Sequence, residues 1–233
     1  MTGLVACALA LLREVLGCSR ITHAGRILDM PIDTEHLTRF KSDLSTLPAD
    51  EVYRRYVLPD TCMGLIDVDQ RSLREKIATK FEVDVAKVVI VGSAKLGFTL
   101  MPKKRGYRPA FSKFSENSDI DVAIISDVLF DQIWKQCFEF WDNSGYAKSP
   151  SYWDEAQSFR NYIFRGWLRP DKLPAEGKYH YKKDWFSYFK RQLPNERAAG
   201  DYSVNAGVYR EEYFLEAYQK ISINQCRARI ISR

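Results

Sequence analysis

Histidine is scarce in this 233-residue chain. The three present, His23, His36 and His180, are far apart. Isolated imidazoles speak against a histidine-built zinc site and against a Ser-His-Asp triad. The five cysteines (Cys7, Cys18, Cys62, Cys137, Cys226) are scattered, odd in number and without CxxC spacing. That usage points to buried thiols in a reducing compartment and not to a disulfide framework. No stretch approaches the ~20 apolar residues of a membrane span. Leu4 to Leu12 looks like a short signal core, and Val15-Leu16-Gly17-Cys18 faintly like a lipoprotein cleavage site. No basic residue precedes them, however, and Arg13-Glu14 interrupts the apolar run. The expectation is a cytoplasmic protein without a membrane anchor. Residues 1–29 read as a tail or amphipathic helix, and Met30-Pro31-Ile32-Asp33 as a fresh start. No repeat, low-complexity tract or domain linker divides 30–233, which reads as a single domain.

Hydrophobic residues make up 45% of the chain and charged residues 28%, the balance of an ordinary globular fold long enough for one sizeable core. A net charge of +5 and a pI near 8.9 mildly favour polyanionic partners. The charge is concentrated in 102–113 and 178–197. The first cluster interleaves Tyr107, Phe111 and Phe114 with its lysines and arginines. It reads either as a solvated loop or as a grip on triphosphate or RNA.

Periodicity predicts the elements. Thr34 caps a helix to about Leu47 with Leu37, Phe40 and Leu44 on one face, and Pro48 opens a second short one. Asp69 caps a helix over 70–82 whose seam is Leu73, Ile77 and Phe81. Phe130, Ile133, Trp134, Cys137, Phe138 and Trp141 form an apolar stripe. Helices are also expected over 153–167, over 183–193 (Phe186 and Phe189 inward) and over 211–230 (Phe214, Tyr218 and Ile221 buried). A strand is expected over 202–209.

The most informative stretch runs from Ala86 to Ser126. Lys87 to Val91 (KVVIV) reads as a buried strand. It ends in Gly92-Ser93 and a helix start at Ala94-Lys95-Leu96-Gly97. A strand that feeds a small-residue turn and a helix presents free backbone N–H groups to phosphate, and glycine permits close approach. Downstream, Asp119-Ile120-Asp121-Val122-Ala123-Ile124-Ile125 reads as a second strand with Asp119 and Asp121 on one face. Two such carboxylates repel unless a cation lies between them, and a divalent one is the usual answer.

This Gly-Ser turn followed by Ser118-Asp119-Ile120-Asp121-Val122 resembles the DNA polymerase β-like nucleotidyltransferase superfamily. The resemblance covers about forty residues strongly. It departs from the usual pattern in its spacer, because 24 residues separate Ser93 from Ser118. It implies an α/β (α+β) fold, a small mixed sheet flanked by helices with helical additions at both ends. It further implies Mg²⁺- or Mn²⁺-dependent transfer of a nucleotide monophosphate from an NTP to a hydroxyl acceptor. The acceptor is left open: RNA, another nucleotide, a protein side chain or a small molecule, with a defence or toxin–antitoxin setting by analogy alone. Gly92, Ser93, Lys95 and Ser118 would bind nucleotide, and Asp119 and Asp121 would be catalytic metal ligands. The superfamily's third carboxylate has no obvious counterpart. Asp201, at the entrance to the 202–209 strand, is the expected third ligand, and Asn205 on the same face is the alternative. Two other functions compete, a degenerate nucleotide-binding sensor or partner protein and a basic RNA-binding module on the same scaffold.

Overall fold

The computed structural model describes residues 34–102, 108–143, 161–173 and 180–231. All of them belong to one compact unit, Asp33–Arg233. The segment 1–29, residues 103–107 of the basic loop and most of the expected helix at 153–167 lie outside the described residues.

Helices α1 (Thr34–Thr46) and α2 (Ala49–Tyr56) form where expected, with Phe40, Leu44 and Val52 buried. Helix α3 (Gln70–Phe81) is capped by Asp69, whose carboxylate accepts the Ser72 N–H at 3.0 Å, and fully buries Leu73 and Ile77. A 3₁₀ turn, Val85–Lys87, then delivers the chain to strand β1 (Val88–Val91). Helix α4 (Gly92–Leu96) follows at once and stops at Gly97, which is left-handed. Strand β2 (Ile120–Ile125) leads into helix α5 (Asp127–Asn143). Later come strand β3 (Trp167–Leu168) and helix α6 (Tyr181–Ser187), which continues through a π-helical turn at Tyr188–Gln192. Strand β4 (Val204–Tyr209) and helix α7 (Glu212–Ile231) close the chain.

The strands form one mixed sheet in the order β1-β2-β4-β3. Strand β1 pairs antiparallel with β2, β2 parallel with β4, and β4 antiparallel with β3. The expected α/β architecture of a small mixed sheet flanked by helices is what the chain adopts. Strand alternation sends Val88, Ile90, Ile120, Val122, Ile124, Val204 and Val208 into the main core, where they meet Leu73, Ile77, Phe130 and Ile133. The opposite face carries Val91, Ala123, Ile125, Trp167 and Tyr209 against Leu215 of α7. Helices α1 and α2 join α7 in a third cluster around Phe40, Val52, Phe98 and Ile223.

Four expectations about packing need correction. On α5, Phe130, Ile133 and Cys137 turn inward while Trp134 and Phe138 are exposed. A sheet contact covers a narrower arc than a six-residue stripe. Phe186 is exposed because Trp185, Tyr188 and Phe189 are the residues that close around Phe81. Ile221 is exposed, and Leu215, Ile223 and Cys226 are buried on α7 instead. Trp167 is strand, since the preceding helical turn ends before Gly166 and the chain reverses there at φ +68°. Cys62, Cys137 and Cys226 are free and buried, as expected. Among the described residues no helix is long and apolar enough to cross a membrane.

Candidate functional site

Two registers bring distant parts of the chain together. In the antiparallel pair, Val91 lies opposite Asp121, so the turn that follows Val91 opens directly beside that carboxylate. In the parallel pair, Asp121 lies beside Asn205, and neighbours in a parallel ladder project to the same side. Asp121 and Asn205 therefore sit side by side on the face away from the main core. Asp119 precedes β2 by one residue and shares that face by period two.

These residues border a cleft of about 510 Å³. Gly92, Ser93, Asp119, Asp121 and Asn205 line it on one side, and Trp167, Tyr209 and Tyr218 on another. Gly92 adopts φ +69°, and a Cβ built there would lie 2.9 Å from Asp121 Oδ2. The backbone conformation favours glycine here, and any side chain would also oblige the Asp121 carboxylate to turn aside. Asp119 and Asp121 are half-buried, as is Asn205, while the Ser93 side chain is buried at the cleft wall.

The aromatic wall was not anticipated from the sequence. The Trp167 and Tyr209 rings stack at 5.8 Å between centroids, and Tyr218 meets Trp167 edge-on at 5.4 Å. The Trp167 ring also closes over Gly207, whose missing Cβ would stand 3.7 Å from it. The Trp167 indole nitrogen is buried without a hydrogen-bond partner. Burial pushes the Tyr209 and Tyr218 hydroxyls above the usual range, so both are neutral donors at physiological pH.

Three expected site residues lie elsewhere. Lys95 is only two positions after Ser93, and a two-residue step turns an α-helix by about 200°. Its side chain accordingly points away from the cleft and donates to the Pro59 carbonyl. Ser118 is buried in the turn before β2. Its hydroxyl accepts the Ser115 N–H at 3.0 Å and a guanidinium N–H of Arg108 at 3.2 Å. It orders the approach to Asp119 and does not line the cleft. Asp201 is exposed in the turn that precedes β4. It lies three residues before Val204, where β4 begins, so Asn205 and not Asp201 takes the place beside Asp121. In keeping with that, no group of three or more His, Cys, Asp or Glu side chains suited to a metal occurs among the described residues.

Comparison with protein-family models, with curated proteins and with solved structures finds no match to this chain. Its function has to be argued from the cleft.

Two half-buried carboxylates and an amide oxygen on one face are hard oxygen donors. Magnesium commonly takes one or two carboxylates and completes its shell with water and substrate phosphate oxygens. The donor set therefore fits Mg²⁺ brought in with a phosphorylated ligand. It fits less well a metal held by protein groups alone.

Proposed function

We propose that the chain is a nucleotidyltransferase, moving a nucleotide monophosphate from an NTP to a hydroxyl acceptor with Mg²⁺ or Mn²⁺. The observation that carries this reading is the closure of the Gly92-Ser93 turn onto Asp121, whose carboxylate oxygen stands 2.9 Å from where a Cβ on Gly92 would be. A turn that offers backbone N–H groups and a strand that offers two carboxylates become the two walls of a single cleft. Phosphates approach the turn closely because Gly92 has no side chain, and Asp119 and Asp121 face them from the sheet. The metal, when bound, supplies charge neutralisation on the phosphates and acidification of the attacking hydroxyl. Of the aromatic wall, Trp167 and Tyr209 are buried, and the half-buried Tyr218 is the ring with surface left for a flat ligand.

A second reading is favoured by Asn205. With an amide in the third position, the cleft would hold nucleotide and transfer it slowly or not at all, as a sensor or partner protein would. The two readings separate in one experiment. Purified protein is incubated with each labelled NTP, Mg²⁺ or Mn²⁺, and total RNA or protein, and label transfer and NTP binding are both measured. Transfer that disappears with Asp119→Asn and Asp121→Asn supports the enzyme. Saturable NTP binding without pyrophosphate release supports the binding protein, and absence of both rejects the cleft as a nucleotide site. Salt-steep RNA binding that ignores both substitutions would instead favour an RNA-binding module, whose basic loop centre (103–107) lies outside the described residues.

A further inference from the structure

A second cavity, of about 540 Å³, lies on the other side of α4 and is lined by Pro59, Asp60, Cys62, Arg74 and Lys95 among others. Lys95 is the anomaly within it. Its side chain is an ammonium at the end of a four-carbon stem, yet the residue is only 3% exposed. Among the described residues its ammonium donates only to the neutral carbonyl of Pro59, although an ammonium carries three donors. Among the described residues no carboxylate forms an ion pair with it. A buried charge of this kind is costly unless it is paired.

The neighbours leave the same vacancy in hydrogen bonding. Arg74 reaches Asp60 through one terminal nitrogen at 3.1 Å, but its Nε is buried and has no partner. Asp60 itself is mostly in solvent, its side chain 89% exposed. The other carboxylates around the cavity are engaged with their own cations: Glu75 with Arg71, Glu212 with Lys87, Glu216 with Lys220. The Cys62 thiol does not supply the missing anion. Burial holds it above its usual range, and it points to the Asp60 carbonyl at 3.8 Å. Two cationic groups thus border one cavity with donors to spare.

We propose that this cavity binds a small oxyanion, a carboxylate or phosphate group seated between the Lys95 ammonium and the Arg74 guanidinium. Both groups donate, and the guanidinium edge with the ammonium suits an anion presenting two oxygens. The site is separate from the cleft. Ser93 faces one cavity and Lys95 the other from opposite sides of the same helix.

The test uses the full chain, with inorganic phosphate and acetate as probes and sodium chloride at matched ionic strength as control. Isothermal titration calorimetry and thermal unfolding are read together. Saturable one-site binding of phosphate, acetate or both is expected, and the arm that binds tells a phosphoryl group from a carboxylate. At ten times Kd the anion should raise Tm by about 3–6 °C. Arg74→Gln should weaken binding at least tenfold, and Lys95→Met should abolish it. The double variant Asp119→Asn/Asp121→Asn should bind like the wild type. Should Lys95→Met fail to fold, Arg74→Gln alone decides. Wild type that binds neither anion, or Arg74→Gln that binds as well as wild type, overturns the proposal. So does binding that tightens in the Asp119→Asn/Asp121→Asn variant, since loss of two negative charges would strengthen a metal-free anion site only in the cleft. No turnover is read, so the outcome is independent of nucleotidyl transfer.

Discussion

Gly92→Ala tests the geometry on which the cleft depends, and Gly200→Ala supplies its control. Both glycines are left-handed, Gly92 at φ +69° and Gly200 at φ +58°. An alanine at either pays for the conformation alone about 1–2 kcal/mol. Their surroundings differ. A Cβ at Gly200 meets nothing nearer than Val68 Cγ2 at 3.9 Å, ordinary contact, whereas at Gly92 it meets Asp121 Oδ2 at 2.9 Å. Turning that carboxylate end aside lies at the low end of overpacking costs, about 1 kcal/mol. In a domain of this size ~1 kcal/mol shifts Tm by about 2–4 °C. Gly200→Ala should therefore lower Tm by about 2–8 °C, and Gly92→Ala by a further ~2–4 °C. The excess should shrink when Asp121→Ala is added, because the obstructing carboxylate is then gone. A double-mutant cycle by thermal or urea unfolding measures this coupling directly. Equal losses for the two glycines, or no coupling between positions 92 and 121, would refute the close approach of turn and acid.

If the cleft transfers nucleotide, Asp119→Asn/Asp121→Asn should reduce labelled NMP transfer at least 100-fold, with far-UV circular dichroism unchanged. Asn205→Asp should raise the rate or the affinity for Mn²⁺, and Asp201→Asn should change neither, as read by transfer assay and metal titration. Lys95→Met should raise stability at pH 7 by removing an unpaired buried charge. Burial holds the Lys95 ammonium below its usual value, with Cys62, Asp60 and Arg74 as its charged or titratable neighbours. The folded wild type therefore sheds that proton before the unfolded chain does, and its stability relative to Lys95→Met should rise as pH climbs toward about 10.5. Urea midpoints of the two proteins between pH 7 and 10 should converge, and a constant gap would contradict this. Cys137 and Cys226, with thiols pushed by burial up to about 12 and about 11, should resist iodoacetamide at pH 8 until the chain unfolds. Peptide mass mapping reads that protection, and labelling at the rate of a free thiol would show an open core.

The core strands and most helices were legible because they depend on local patterning, whereas the mixed sheet was expected from the family resemblance. KVVIV and IDVAII carry their own periodicity, and the seam Leu73, Ile77, Phe81 carries that of α3. The meeting of Gly92 with Asp121 was legible as order along the chain, although only the Val91–Asp121 register makes it a contact. Other features depend on information that no window of residues holds. Strand β3 has two residues, too few for any period, so Trp167 was invisible as a wall of the cleft. Asp201 was assigned by counting along a strand expected to start at Tyr202. The chain is still turning there, with Arg197 at φ +50° and Gly200 at φ +58°, and the strand begins at Val204. Lys95 is different. Its two-residue offset from Ser93 already places the two side chains on opposite sides of a helix, so its position away from the cleft was legible from helical geometry.

Asn205 is where the two readings of the cleft part. Its place beside Asp121 is the one from which a third oxygen donor would come, and an amide supplies that oxygen without charge. An aspartate there would stand one strand spacing, ~4.8 Å, from Asp121. Each carboxylate would then raise the pKa of the other unless a cation intervened. With asparagine, Asp119 and Asp121 carry the negative charge of this floor, and the cleft's demand for cation falls with it. Slow transfer follows for an enzyme, and binding without transfer is its limit. The aromatic side of the cleft does not depend on which holds. Trp167 covers Gly207 two residues beyond Asn205, so the aromatic wall begins almost where the oxygen donors end. A cleft that joins hard oxygen donors to an aromatic wall suits a ligand with phosphates at one end and a flat ring at the other, whether or not that ligand is turned over.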